Sequence, residues 1–151
     1  MSAEQHRADL GERLDRVESE LAIRRLTSEY AHGADKRQID RFLAVWHGDA
    51  VWVAGEEFVG HDAIRGAVER QWEVFEQMRH LNGNHIINVD GDRATGESDV
   101  LVSVELPGGT WIRTGGCYLD VYERRQGIWR FARREAGPGF SLDPTPDWMR
   151  P

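Results

Sequence analysis

The spacing of apolar residues changes once along this chain, close to His80, and that change limits the folds open to it. Before it, apolar side chains recur three and four residues apart; after it, they alternate. Residues 8–33 carry Leu10, Leu14, Val17 and Leu21, then Ala22, Leu26 and Tyr30, which predicts one long amphipathic helix ended by Gly33. Its first turns are so charged that they are expected to project as an arm against a neighbouring subunit rather than cover their own core. Asp35 and Gln38 have the spacing of a capping box, predicting a short helix over 39–47. Gly48-Asp49 then turns the chain into a short strand over 50–54, joined through Gly55-Glu56-Glu57 to Phe58-Val59. Ala63, Ile64, Ala67, Val68, Trp72, Phe75 and Met78 predict a third helix over 61–78.

Four strand candidates follow, over 81–89, 94–106, 111–123 and 128–134, separated by the turn sequences DGD, PGG and RQG. Helices first and an antiparallel meander after them indicate an α+β domain with helices packed on one face of a sheet. Gly83, Gly96 and the Gly115-Gly116 pair would weaken a flat sheet but allow sharp bending. The expected shape is a cone-shaped α+β barrel, in which a strongly curved antiparallel sheet closed by helices encloses a cavity. Residues 1–136 read as a single domain and 137–151 as an irregular, proline-rich tail, whose Phe140 and Trp148 could fold over the cavity mouth or onto a partner.

A chain of 151 residues buries about two-thirds of the surface its unfolded form exposes, so it needs neither disulfide nor metal staples. The formal net charge of −7 repels phosphate backbones, and nucleic acid is not an expected partner. Cys117 is the only cysteine, which excludes an internal disulfide and any site of paired cysteines. No apolar run approaches the roughly 20 residues of a membrane span, and the first twenty residues lack a signal-peptide core. A cytoplasmic protein without membrane contact is expected. Six tryptophans favour a pocket for a small apolar molecule.

His80 is the clearest candidate for chemistry. A histidine titrates near neutral pH, and a carboxylate on one ring nitrogen fixes its tautomer and leaves the other as a general base. Asp35 could supply that carboxylate, although it could equally be only a helix cap. On a regular strand His80, Asn82 and Asn84 share one face and His85 lies on the other, so His80 and His85 are poor joint metal ligands. His61 reads as a cap or surface residue, His32 and His47 as solvated residues near helix ends. Asp90-Gly91-Asp92 lacks the spacing of a calcium loop. No phosphate-binding glycine loop and no Gly-x-Ser-x-Gly elbow occur, and neither a metal nor a cofactor is expected. In the last strand Arg130 and Arg134 fall on one face and Arg133 on the other; one inward guanidinium could stabilise a departing anion.

The segments GADKRQIDRFLAVWHGDAVW, RHLNGN and YERRQGIWRFARRE resemble the SnoaL-like branch of the nuclear-transport-factor-2-like superfamily, over about residues 10–136. That branch includes scytalone dehydratase, bile-acid dehydratase and hexachlorocyclohexane dehydrochlorinase. The resemblance implies a catalytic dyad of Asp35 and His80, with Arg134 assisting a leaving anion. It places Tyr30 and Met78 where the dehydrochlorinase carries other side chains; Tyr30 with Asp35 and a histidine is instead similar to the bile-acid dehydratase. Asn82, Asn84, Trp52, Met78 and Tyr118 are the expected pocket residues. The implied activity is a cofactor-independent lyase acting on an apolar alicyclic or steroid-like substrate. An isomerase or cyclase using the same base is the alternative, as is a non-catalytic assembly subunit similar to the β subunit of ring-hydroxylating dioxygenases. The implied assembly is a homotrimer, with a dimer as the alternative.

Overall fold

In the computed structural model, which describes residues 2–141, three helices and seven strands follow one another. They are α1 (Ala3–Asp35), α2 (Ile39–Ala44), β1 (Trp46–Ala54), β2 (Glu56–Val59), α3 (Gly60–Val74), β3 (Gln77–Asp90), β4 (Arg93–Glu105), β5 (Trp111–Arg125), β6 (Ile128–Ala136) and β7 (Phe140–Ser141). The change of period near His80 does separate helices from meander, and the fold is α+β as expected. Trp148 lies outside the described residues, as does the side chain of Phe140; the backbone of Phe140–Ser141 adds two residues beside β5, so this part of the tail is not irregular.

Helix α1 outruns its expected limits at both ends. Ser2 and Gln5 exchange the two bonds of a capping box at its start. At its end, Gly33 is no terminator. A Cβ there would lie 2.7 Å from the backbone of Phe42, so the glycine is what lets α2 lie against α1. The chain reverses two residues after Asp35, where Arg37 adopts a left-handed φ of 54°. Gln38, not Asp35, caps α2, and α2 has no side-chain cap bond. Because the contact at Gly33 is with backbone that cannot swing aside, Gly33→Ala is expected to cost about 1–3 kcal/mol. Urea unfolding of the variant checks this through its midpoint.

Tertiary pairing overrides helical spacing at two places. Helix α2 stops at Ala44 because Trp46 pairs with Phe131 of β6, and Gly48-Asp49 fall in the irregular register between Trp46 and Val51 instead of forming a turn. Helix α3 stops at Val74 because Gln77 and Met78 pair with Glu105 and Val104. His80 is therefore the fourth residue of β3 rather than a residue at its entry.

The sheet order is β2-β1-β6-β5-β4-β3, with β7 beside β5. The expectation of a purely antiparallel sheet is corrected by one pair: β1 runs parallel to β6, so the sheet is mixed. Edge strands β2 and β3 do not pair with each other, and the curved sheet stays open, with α1 and α3 packed on it. Gly96 shows how the bend is accommodated, since a Cβ there would meet the Tyr122 ring at 2.8 Å. The buried centre is aromatic: Tyr30, Phe42, Trp46, Trp52 and Phe131 stack edge-to-face or tilted, with ring centroids 5.1–6.3 Å apart. His47, expected in solvent, is buried with Nε2 on the Glu123 carbonyl at 2.9 Å.

The single apolar stripe expected along α1 is in fact two. Ser19, Ile23, Thr27, Tyr30 and Ala34 are buried against the body, whereas Leu10, Leu14, Val17 and Leu21 are all exposed. At about 100° per residue these faces lie about 150° apart. The first half of α1 thus projects as an arm. Its polar side is tied down by Asp15, which accepts from Arg124 at 2.6 Å. No described helix is long and apolar enough to cross a membrane.

Candidate functional site

The last residue of α1 and the fourth of β3 meet beside a cavity. Asp35 Oδ2 accepts the backbone N–H of His80 at 2.8 Å, and Oδ1 lies 2.5 Å from His80 Nδ1. An ionised carboxylate only accepts hydrogen bonds, so this contact favours the tautomer with the proton on Nδ1 and the lone pair on Nε2. Both side chains are largely withdrawn from water, at 7 % exposure for His80 and 9 % for Asp35. The alternative role of Asp35 as a helix cap falls away: its two oxygens are engaged by His80.

The cavity has a volume of about 340 Å³ and is mostly apolar. The sheet contributes it in rows. His80 pairs with Val102 and Val102 with Thr114; Met78 pairs with Val104 and Val104 with Ile112. Of the expected pocket residues, Trp52, Met78 and Tyr118 line this cavity together with Tyr30 and His80. Phe75, Val102, Val104 and Ile112 were not anticipated. Alternation along β4 and β5 could have found three of them, had the register to His80 been known.

Asn82 and Asn84 do not line it. Asn82 faces a separate groove beneath α1, and Asn84 is exposed, donating its amide to Asp99 at 2.7 Å. The cause is a bulge. Asn84 takes a left-handed φ of 52°, a conformation asparagine tolerates, and the register slips between Gly83 and Ile86. Inward residues therefore run Met78, His80, Asn82 and then His85, so His85 shares the face of His80 instead of opposing it. Burial lowers the His85 pKa and keeps its ring neutral. No group of three or more potential metal ligands occurs among the described residues.

A second irregularity sets the arginine. Register slips between Val121 and Tyr122 opposite β6, so Phe131 and Arg134 both point inward. Arg130 does not share that face; it is part-exposed and donates to the Ala44 carbonyl. Arg134 is wholly buried and makes two bonds to Asp120, each 2.8 Å, while the Tyr122 hydroxyl donates to the same carboxylate at 2.7 Å. Burial opposes its charge, but Asp120 more than compensates, and the Arg134 pKa is raised.

Arg134 sits one layer behind the cavity. Its guanidinium carbon lies 4.0 Å from the Tyr118 ring centroid, 4.2 Å from Phe131 and 4.5 Å from Tyr30. Nη1 has no hydrogen-bond partner among the described residues. Tyr30 and Tyr118 pack edge to face, ring centroids 5.9 Å apart, and lie between the cation and the cavity. Burial raises both phenol pKa values, and both hydroxyls keep their protons as the pH rises past neutrality.

The comparisons with known proteins bear on the family and the fold. The SnoaL-like domain model matches residues 15–135. The chain belongs to the SnoaL-like domain family. Gamma-hexachlorocyclohexane dehydrochlorinase of Sphingobium indicum is 34 % identical over 130 residues, covering 82 % of each chain. Hexachlorocyclohexane dehydrochlorinase 1 of the same species is 32 % identical over 127 residues, covering 80 % of this chain and 81 % of the relative. The crystal structure of LinA superposes with a TM-score of 0.77 at 32 % identity, covering 85 % of this chain and 92 % of that one. LinA-type3 from Novosphingobium barchaimii gives 0.77 at 30 %, covering 86 % and 90 %. This SnoaL-like chain thus has relatives named as dehydrochlorinases across most of its length.

Proposed function

We propose that the chain is a cofactor-independent lyase that removes a carbon-bound proton from an apolar alicyclic substrate held in the 340 Å³ cavity. The observation that carries this is the Asp35–His80 pair at the edge of that cavity, 2.5 Å apart. His80 Nε2 takes the proton, the electrons of the C–H bond form a C=C bond, and the leaving group departs with its bonding pair. Asp35 stabilises the imidazolium that forms. The Tyr30 hydroxyl donates a hydrogen bond to the departing anion, and the Arg134 charge acts through the tyrosine layer in surroundings that screen it weakly.

The tyrosine pair favours hydroxide over halide as the leaving group. A protonated phenol stabilises an oxyanion more strongly than a large, diffuse halide, because hydrogen bonds to compact charged oxygens are short and strong. Incubation with γ-hexachlorocyclohexane, followed by chloride release, and with cyclic β-hydroxy ketones, followed by loss of water, is the test. The expected result is an alkene product from the hydroxy ketones at the higher rate. Product of unchanged mass would turn the reading to an isomerase, and no product from either class would remove it.

We propose further that the protein assembles as a homo-oligomer, a trimer, through the outer face of the sheet. Leu81 and Leu101 are cross-strand neighbours there, and both are exposed, as is Leu119 on β5.

A further inference from the structure

We propose that the projecting half of α1 pairs antiparallel with the same segment of a second copy, forming a short two-stranded coil that is separate from the sheet-face contact. The exposed residues are Leu10 at 53 %, Leu14 at 55 %, Val17 at 55 % and Leu21 at 63 %. Their spacings of four, three and four are those of a coiled-coil seam over roughly 18 Å of helix. Leu10 and Leu14 precede the SnoaL-like match, which starts at residue 15.

The stripe points away from the described body of the chain. The seam lies about 150° from the face that packs Ser19, Ile23 and Thr27. The body side of the arm is polar, held by Asp15 and Ser19 on Arg124. At Leu21 the outer stripe ends, and the next seam positions are the polar Arg24 and Ser28. A helix takes most of its stability from packing an apolar face, and the outer half of this one has no such packing among the described residues.

The flanking charges fit a second copy. In an antiparallel pair centred between positions 14 and 17, Leu10 faces Leu21 and Leu14 faces Val17, so all four layers are filled by their own kind. On the flank beside the seam, Arg13 of each copy then falls opposite Glu20 of the other, giving two opposite-charge pairs. The other flank carries Glu18 opposite Gly11, with no like-charge contact. Antiparallel arms also hold the two bodies, each attached at the Ile23 end, at opposite ends of the coil. A parallel pair would bring both bodies to the same end.

Light scattering on the full chain tests the pairing. The double variant Leu14→Glu with Val17→Glu is expected to halve the particle mass while leaving the near-ultraviolet circular dichroism of the buried aromatics unchanged; an unchanged mass would overturn the proposal. Orientation is read from Leu14→Cys and Val17→Cys, each made with Cys117→Ser. Oxidation of the mixture is expected to give the 14–17 disulfide in at least tenfold excess over the disulfides each variant forms alone. Efficient disulfides from each variant alone would mean parallel arms, and none in any sample would mean arms that do not meet; either overturns the proposal.

Discussion

His80→Ala is expected to lower turnover by about 10²- to 10⁴-fold, the contribution of a positioned base to proton transfer, while leaving the fold in place. Two bonds join His80 to Asp35, and only one of them uses the imidazole. The backbone N–H of residue 80 continues to hold Asp35 Oδ2 in the variant, so the end of α1 keeps its anchor on β3. The methionine, valine and tryptophan walls of the cavity do not depend on the ring. Binding of a substrate analogue should therefore change little while kcat collapses. Asp35→Asn should impair kcat as well, since an amide can donate to Nδ1 and stabilise the wrong tautomer. A His80→Ala enzyme with near-normal kcat would remove the histidine from the reaction.

Asp120→Ala is expected to have the largest effect on stability. Asp120 and Arg134 side chains are both at 0 % exposure, and the two bonds between them neutralise a charge that no water reaches. Removing one partner of such a pair costs about 3–5 kcal/mol, because the other charge is left buried and uncompensated. For a chain of this size that corresponds to a fall of about 6–20 °C in Tm. Replacing both partners, Asp120→Leu with Arg134→Met, should recover most of the loss, since apolar groups of similar volume avoid the desolvation cost. The double variant also separates two roles of the arginine. If it is folded but slow, the Arg134 charge serves the reaction through Tyr30 and Tyr118. If it is folded and fast, the pair is structural only.

The elements of this fold were largely legible from the period of apolar residues, because a change from helical to alternating spacing survives most local detail. What the period could not carry was phase. Along α1 the apolar spacing continues without a break from Leu21 into Ala22 and Leu26, yet Ile23 takes over on the opposite side of the helix. Along β3 the left-handed turn at Asn84 moves His85 to the inner face and releases Asn84 to solvent. Along β6 one slipped register brings Arg134 beneath the tyrosines and leaves Arg130 outside. Each bulge inverts every inward assignment after it, and an unmarked bulge is invisible to a strict alternation. The site was legible in its residue types, a histidine and a carboxylate suited to base chemistry. That Asp35 meets His80 is a property of the α1–β3 contact, which no local spacing encodes. The wholly buried position of Arg134, and the tyrosine pair in front of it, emerge only from packing.

Nitrogen-15 NMR of the His80 imidazole tests the central claim, that Asp35 sets His80 as a base, without any substrate. In the wild-type protein at pH 8, Nδ1 is expected to carry the proton and Nε2 to resonate as an unprotonated nitrogen, with that preference lost in Asp35→Asn. A wild-type His80 protonated mainly at Nε2 would contradict it, since the nitrogen left to face a substrate would then have no lone pair to take a proton.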